Sequence, residues 1–238
     1  CGGIVGRASN SDYNPYSISD CANYGNIKGY NYVGGIVGNI ESSNGSYYYT
    51  ISNCANYGKV TGYDYVGGIA GELKRITLKN VFTSSDVTFT NTITRIGLVV
   101  GSVNSSTISG YTIYNSDAKL FNNNAEQTSK AIGSSYSMTV KNESFIKGLS
   151  TEHLKTGLGT WLLIKNSSTD AWGQQLGTDN YPTLDTSFKV YADGDICIGS
   201  GKIYGTFTNT QPEREGTVYE EHGNGIHHDA VTPTCTTD

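Results

Sequence analysis

The sequence predicts an all-β chain: a right-handed parallel β-solenoid (β-helix) of about four to five coils, a short capping helix and a small C-terminal β appendage. Three observations lead there. Residues 18–38 read ISDCANYGNIKGYNYVGGIVG and residues 51–71 read ISNCANYGKVTGYDYVGGIAG, two nearly identical copies offset by 33 residues. Up to residue 140, β-branched or alternating stretches are broken by Gly-bearing corners, and no 3.6-residue apolar period appears. Finally, the 238 residues include 30 Gly and 18 Tyr but are only 16% charged. Soluble domains usually carry about a quarter charged residues.

The elements follow in order. Cys1-Gly-Gly-Ile-Val-Gly6 is the tail of an earlier copy, and Ile96-Gly-Leu-Val-Val-Gly101 the tail of a later one. A faded fifth copy ends near Ile132-Gly133. One coil of about 30 residues cannot bury its own apolar face, whereas coils stacked about 4.8 Å apart bury a continuous core. Equivalent positions then form ladders. Cys1, Val33, Val66, Ile96 and Ile132 are expected to make an inward apolar one. Gly34, Gly35, Gly67 and Gly68, with Gly38 and Gly71, allow tight corners and close approach between coils. Coil length varies mainly in one segment: Arg7–Ser17 and Asn39–Thr50 are long, Glu72–Thr77 and Ser102–Thr107 short. The long ones read as loops on one edge.

Residues 145–188 change character. Leu154, Leu158, Trp161 and Leu162 fall on one helical face, with Ser150 as N-cap and Leu149 stapled to Leu154. This helix is expected to close the open end of the solenoid. Trp172, Leu176, Tyr181 and Leu184 read as packing residues. Residues 188–238 look like a small separate β unit, with strands at Lys189–Tyr191, Asp195–Ile198, Lys202–Thr208 and Gly216–Glu220. The expected divisions are therefore 1–144, 145–187 and 188–238.

The unit ending Val33-Gly-Gly-Ile-Val-Gly38, followed by Ile-Ser-Asn-Cys-Ala-Asn-Tyr-Gly-Lys-Val, resembles the GLUG repeat of bacterial surface proteins. That resemblance implies a β-solenoid on a secreted or wall-attached protein. Such repeats occur in large adhesins and in non-catalytic regions of IgA-protease-like peptidases, so no single activity is implied. Leu98 stands where the motif has its second Gly, and the repeat loosens there. Residues 171–184 resemble a segment that follows these repeats. His227-His-Asp-Ala-Val-Thr-Pro-Thr-Cys235 resembles the truncated opening of a Cys-containing module. With no initiator Met, and a start inside a repeat, the chain reads as a piece of a longer polypeptide whose other domains are its first partners.

Tyrosines are the leading functional feature. One coil offset places Tyr24 over Tyr57, Tyr30 over Tyr63, and Tyr32 over Tyr65. The long segments add Tyr13, Tyr16, Tyr47, Tyr48 and Tyr49. Aromatic faces with hydroxyl tips suit sugar rings and protein epitopes. The competing reading is that the in-repeat tyrosines merely stack and shield the coil edges. Tyr13, Tyr16, Tyr47, Tyr48, Tyr49, Tyr30 and Tyr63 form the candidate binding set. Cys21 and Cys54 occupy equivalent positions with Cα atoms roughly 5 Å apart, but in-register side chains point the same way. A ladder of free buried thiols, continued by Val81 and Tyr111, is favoured. Cys197 and Cys235 are left as an open pairing.

Other chemistry is sparse. Sixteen basic against 21 acidic residues give −5, which argues against a broad basic face for nucleic acid. No run of about 18 apolar residues suggests membrane insertion. His-Glu-x-x-His, Gly-x-Ser-x-Gly and phosphate-loop strings are absent. His222, His227, His228, Asp229 and Cys235 are zinc-ligand types without paired spacing and read as exposed turn residues. Asp20 stacks on Asn53, Asp64 on Asn31 and Lys28 on Thr61, so these repeat positions build no carboxylate pair for catalysis. The expectation is a non-catalytic, extracellular bacterial surface segment needing no cofactor. It would serve adhesion or display, meeting glycan or host protein through a Tyr-rich edge. A passive stalk and a polysaccharide-degrading β-helix enzyme are the alternatives.

Overall fold

A computed structural model describes residues 1–10, 16–42, 49–90, 95–140, 145–165, 167, 170–199, 202–213 and 218–220. Up to Leu149 the chain winds as an all-β parallel solenoid of about four turns, each coil pairing its strands with the equivalents one coil on. The first face holds Val5–Asn10, Val37–Ser42, Ala70–Lys74, Val100–Asn104 and Ile132–Tyr136. The second holds Ser17–Ser19 with Ala22–Asn23, then Tyr49–Asn56, Ile76–Thr83, Thr107–Asn115, and Thr139–Val140 with Phe145–Leu149. Short strands make the third face (Ile27–Lys28, Val60–Gly62, Val87–Phe89, Leu120–Asn122) and the fourth (Asn31–Gly34, Asp64–Gly67, Ile96–Gly97). At the end of the third face, Ala125–Gln127 turns back antiparallel on Leu120–Asn122 and covers that edge.

Registered apolar rows hold the coils together. On the first face Ile40, Leu73 and Val103 stack, and on the second Ile51, Leu78 and Ile108 do the same. The two rows pack in one buried cluster. Val33, Val66 and Ile96 pack with Val60, Val87 and Leu120 in a second. Each such side chain contributes about 1.5–3 kcal/mol only when a neighbouring coil covers it. Leu98, at the lost second Gly, is itself buried in this second cluster.

Two ladder assignments are corrected. Ile132 pairs with Val100, so it continues the row Val5–Val37–Ala70–Val100 and does not stack on Ile96. The faded copy keeps only the end of the motif, and matching Gly133 to Gly101 places Ile132 at the Val37 position. Likewise the rung after Cys54 and Val81 is Thr112, not Tyr111. Gly110, at φ +68°, is an extra residue there, and the register shifts between Lys79 and Val81.

Corners explain the recurring polar residues. Asp20, Asn53 and Asn80 adopt left-handed backbone at φ 56°, 50° and 49°, a region these short side chains tolerate. Beyond the corner, Asn23 Nδ2 donates to Asn56 Oδ1 at 2.7 Å, and Asn56 Nδ2 donates to Ser85 Oγ at 3.0 Å. The Gly-Gly pair serves close approach: a Cβ on Gly35 would lie 2.1 Å from Asn56 Cγ and 2.2 Å from Gly68 O.

The predicted helix divides into α1 (Thr151–Lys155) and α2 (Leu158–Lys165), with Gly157 at φ +95° between them. Ser150 Oγ caps α1 by accepting from His153 N at 3.3 Å. This unit does not simply close the last coil. Its core takes in Ala22, Ala55, Phe82 and Ile113 from successive coils of the second face, so it lies along the flank. The C-terminal hairpin, Tyr191–Gly199 against Lys202–Thr208 with Val218–Glu220 alongside, is not separate either. Val190, Ala192 and Ile196 are buried in the core of the helical unit, and the Trp161 and Phe207 rings lie 5.7 Å apart.

Candidate functional site

Tyrosines recur because the repeat recurs, and the fold turns that recurrence into face-to-face pairs. Ring centroids are 4.7 Å apart for Tyr24–Tyr57, 4.7 Å for Tyr30–Tyr63, 4.4 Å for Tyr32–Tyr65 and 5.7 Å for Tyr16–Tyr49. The pairs differ in what surrounds them. Tyr57 packs on the helical unit and donates from Oη to Pro182 O at 2.5 Å, and burial pushes its hydroxyl pKa up. Tyr49 is buried at the start of its strand, and Tyr16 beside it is 52% exposed. Both line a depression at the first coil with Val5, Ala8, Ile18 and Ile40. Tyr30 is 67% exposed and Tyr63 half-buried, at the corner entering the fourth face. Tyr13, Tyr47 and Tyr48 lie outside the described residues. The candidate set thus falls at separate corners, and the fold does not gather Tyr16 and Tyr49 with Tyr30 and Tyr63.

A different site emerges beside Tyr32 and Tyr65. Both adopt left-handed backbone, at φ 55° and 52°, which is unusual for a bulky side chain. The Arg95 guanidinium lies 4.0 Å from the Tyr65 ring centroid, pairs with Asp64 and donates to Tyr65 Oη. Next to this stack runs a groove of about 540 Å³ over the outer side of the first face. Tyr32 and Asn31 line it, with Arg7, Asn39 and Glu72 from one outward row and Glu41, Lys74 and Asn104 from the next.

The two glutamates of the groove lie in different fields. Glu41 Oε1 sits 2.5 Å from Lys74 Nζ and 3.0 Å from Arg75 Nη2, and hydrogen bonding to Lys74 foremost holds its carboxyl below the usual range. Burial pushes the Glu72 carboxyl up, against the pull of Lys74 and a 2.7 Å bond donated by Asn39 Nδ2. Asn39 is only 8% exposed, and its Oδ1 has no hydrogen-bond partner. The repeat positions compared in the sequence did not include this pair. Glu41 and Glu72 are diagonal rather than equivalent, because Glu72 stands opposite Asn39 and Glu41 opposite Lys74.

The thiols of Cys21 and Cys54 are free, donating to Ser19 O at 3.0 Å and Ser52 O at 3.2 Å. Burial pushes the Cys54 thiol up to about 12. Cys235 and the C-terminal histidines lie outside the described residues. Among the described residues no group of three His, Cys, Asp or Glu side chains could hold a metal ion. No helix there is long and apolar enough to cross a membrane. Comparison with protein-family models, curated proteins and solved structures finds no match.

Proposed function

We propose that this chain is a non-catalytic segment of an extracellular bacterial surface protein that binds glycan or host protein through its tyrosine-rich edges. The carrying observation is the ring-on-ring stacking of Tyr16 with Tyr49 and of Tyr30 with Tyr63 between successive coils at the corners. Stacked rings are immobilised before any ligand arrives, so they offer apolar area with a polar rim at small entropic cost. The resemblance of Val33–Gly38 and its flanking strands to GLUG repeats supports the bacterial surface setting. The alternative of a passive stalk draws on the same ladders, read only as coil-to-coil packing.

The test is binding of the folded chain to a glycan array and to immobilised host matrix proteins. Binding should fall at least tenfold when Tyr16 and Tyr30 are changed to Ala together, or when Tyr47, Tyr48 and Tyr49 are, with the melting temperature checked for each. If the intact chain binds nothing on either surface, the stalk reading replaces this one.

A further inference from the structure

The groove beside Tyr32 has the chemistry of a sugar site, and this inference rests on the reading of the tyrosine edges as a binding surface. We propose that the groove lined by Tyr32, Asn39, Glu41, Glu72, Arg7 and Lys74 binds a neutral, hydroxyl-rich oligosaccharide.

Charge is the first argument. The side chains of Arg7 and Lys74 balance those of Glu41 and Glu72, and the Cys1 ammonium in the same wall is turned onto Tyr32 O at 2.7 Å, so the side chains build no strong field of either sign. Hydrogen-bonding shape is the second. Asn, Glu and Arg present planar donor and acceptor pairs that match neighbouring hydroxyls on a sugar ring. Asn39 carries a buried acceptor without a partner, in the row between Arg7 and Glu72. Leaving such an atom unpaired costs about 1–3 kcal/mol, and because it is closed off from solvent a ligand hydroxyl would reach it only once the Asn39 side chain turned towards the groove. Platform rigidity is the third. The Tyr32 ring is backed by Tyr65, which is held in turn by Arg95, and both tyrosines keep a backbone conformation that an Asn or Gly would adopt more readily. A peptide fits less well. The strands Val37–Ser42 and Ala70–Lys74 are each paired on both sides, so neither offers a free edge for strand addition.

The experiment titrates the folded chain with neutral probes, namely cello-, malto-, manno- and chito-oligosaccharides, by calorimetry at low and high salt. At least one probe should bind with a Kd of about 0.01–1 mM, with little dependence on salt. Tyr32→Asn retains a residue suited to the left-handed backbone while removing the ring, and Glu72→Gln retains shape while removing charge. Each should weaken binding by about tenfold or more without loss of the melting transition. Glu152→Gln, exposed on α1 and away from both the groove and the tyrosine edges, should leave binding unchanged. Absence of binding by all four probes overturns the proposal, as does binding indifferent to both groove variants. Salt-sensitive preference for an anionic polymer, or preference for a peptide, overturns it equally. If matrix or array binding survives Tyr32→Asn yet disappears on changing Tyr16 and Tyr30, the tyrosine-edge reading stands and only the groove falls.

Discussion

Glu72 and Cys54 show how position in a stacked coil sets the chemistry of a single side chain. Glu72 lines the groove with its pKa raised, chiefly by burial. A carboxyl more protonated in the folded state than in the unfolded one weighs against folding once pH rises above its usual 4.5 and through the raised folded value. Below the usual value the penalty vanishes. Glu72→Gln should therefore raise the melting temperature relative to the parent at pH 7 and lose that advantage at pH 4, as read by scanning calorimetry. An equal effect at both pH values would assign the change to packing. At Cys54 the thiolate is suppressed, with the pKa up to about 12 and the side chain fully buried. Iodoacetamide at pH 8 should label exposed Cys1 in the native chain and reach Cys54 only after denaturation, with peptide mass spectrometry as the readout.

At the level of elements, the repeat made the strands legible and the irregularities hid the rest. Two copies with the same Cys-Ala-Asn-Tyr-Gly string placed the second and third faces, because each residue in it has a stacking duty: thiol inward, Asn on Asn, Tyr on Tyr. The register past residue 100 was not legible, since one inserted Gly110 moves Tyr111 off the thiol row and into the flank core. The groove was hidden for a related reason. Its residues are related diagonally, and comparison of equivalent positions cannot bring Glu41 beside Glu72. The position of the helical unit was invisible too, because an apolar helical face names no partner. Phe82 is the residue that decides it. It is fully buried on the outer side of the second face, with the Tyr57 and Tyr181 rings each 5.8 Å away. Phe82→Ala should cost about 3–5 kcal/mol in a denaturant titration, since the void left between two packed layers closes poorly. Thr77→Ala, half-buried on a neighbouring stretch of the same strand, should stay within about 1 kcal/mol.

Taken whole, the molecule is a stack of coils with a second layer fastened down one side. Ala22, Ala55, Phe82 and Ile113 give that layer a hold on successive coils, and the bond from Tyr57 to Pro182 adds a polar fastening. Tension applied along the coil axis would fall first on the contacts between coils. Ladder hydrogen bonds between parallel coils run along that axis, and on their own they would open one coil at a time. A layer bridging several coils changes the failure mode, because separating any two of them also drags buried side chains sideways across the bridge. The flank unit is then a brace against tension: rupture becomes one cooperative event at high force instead of a sequence of small ones.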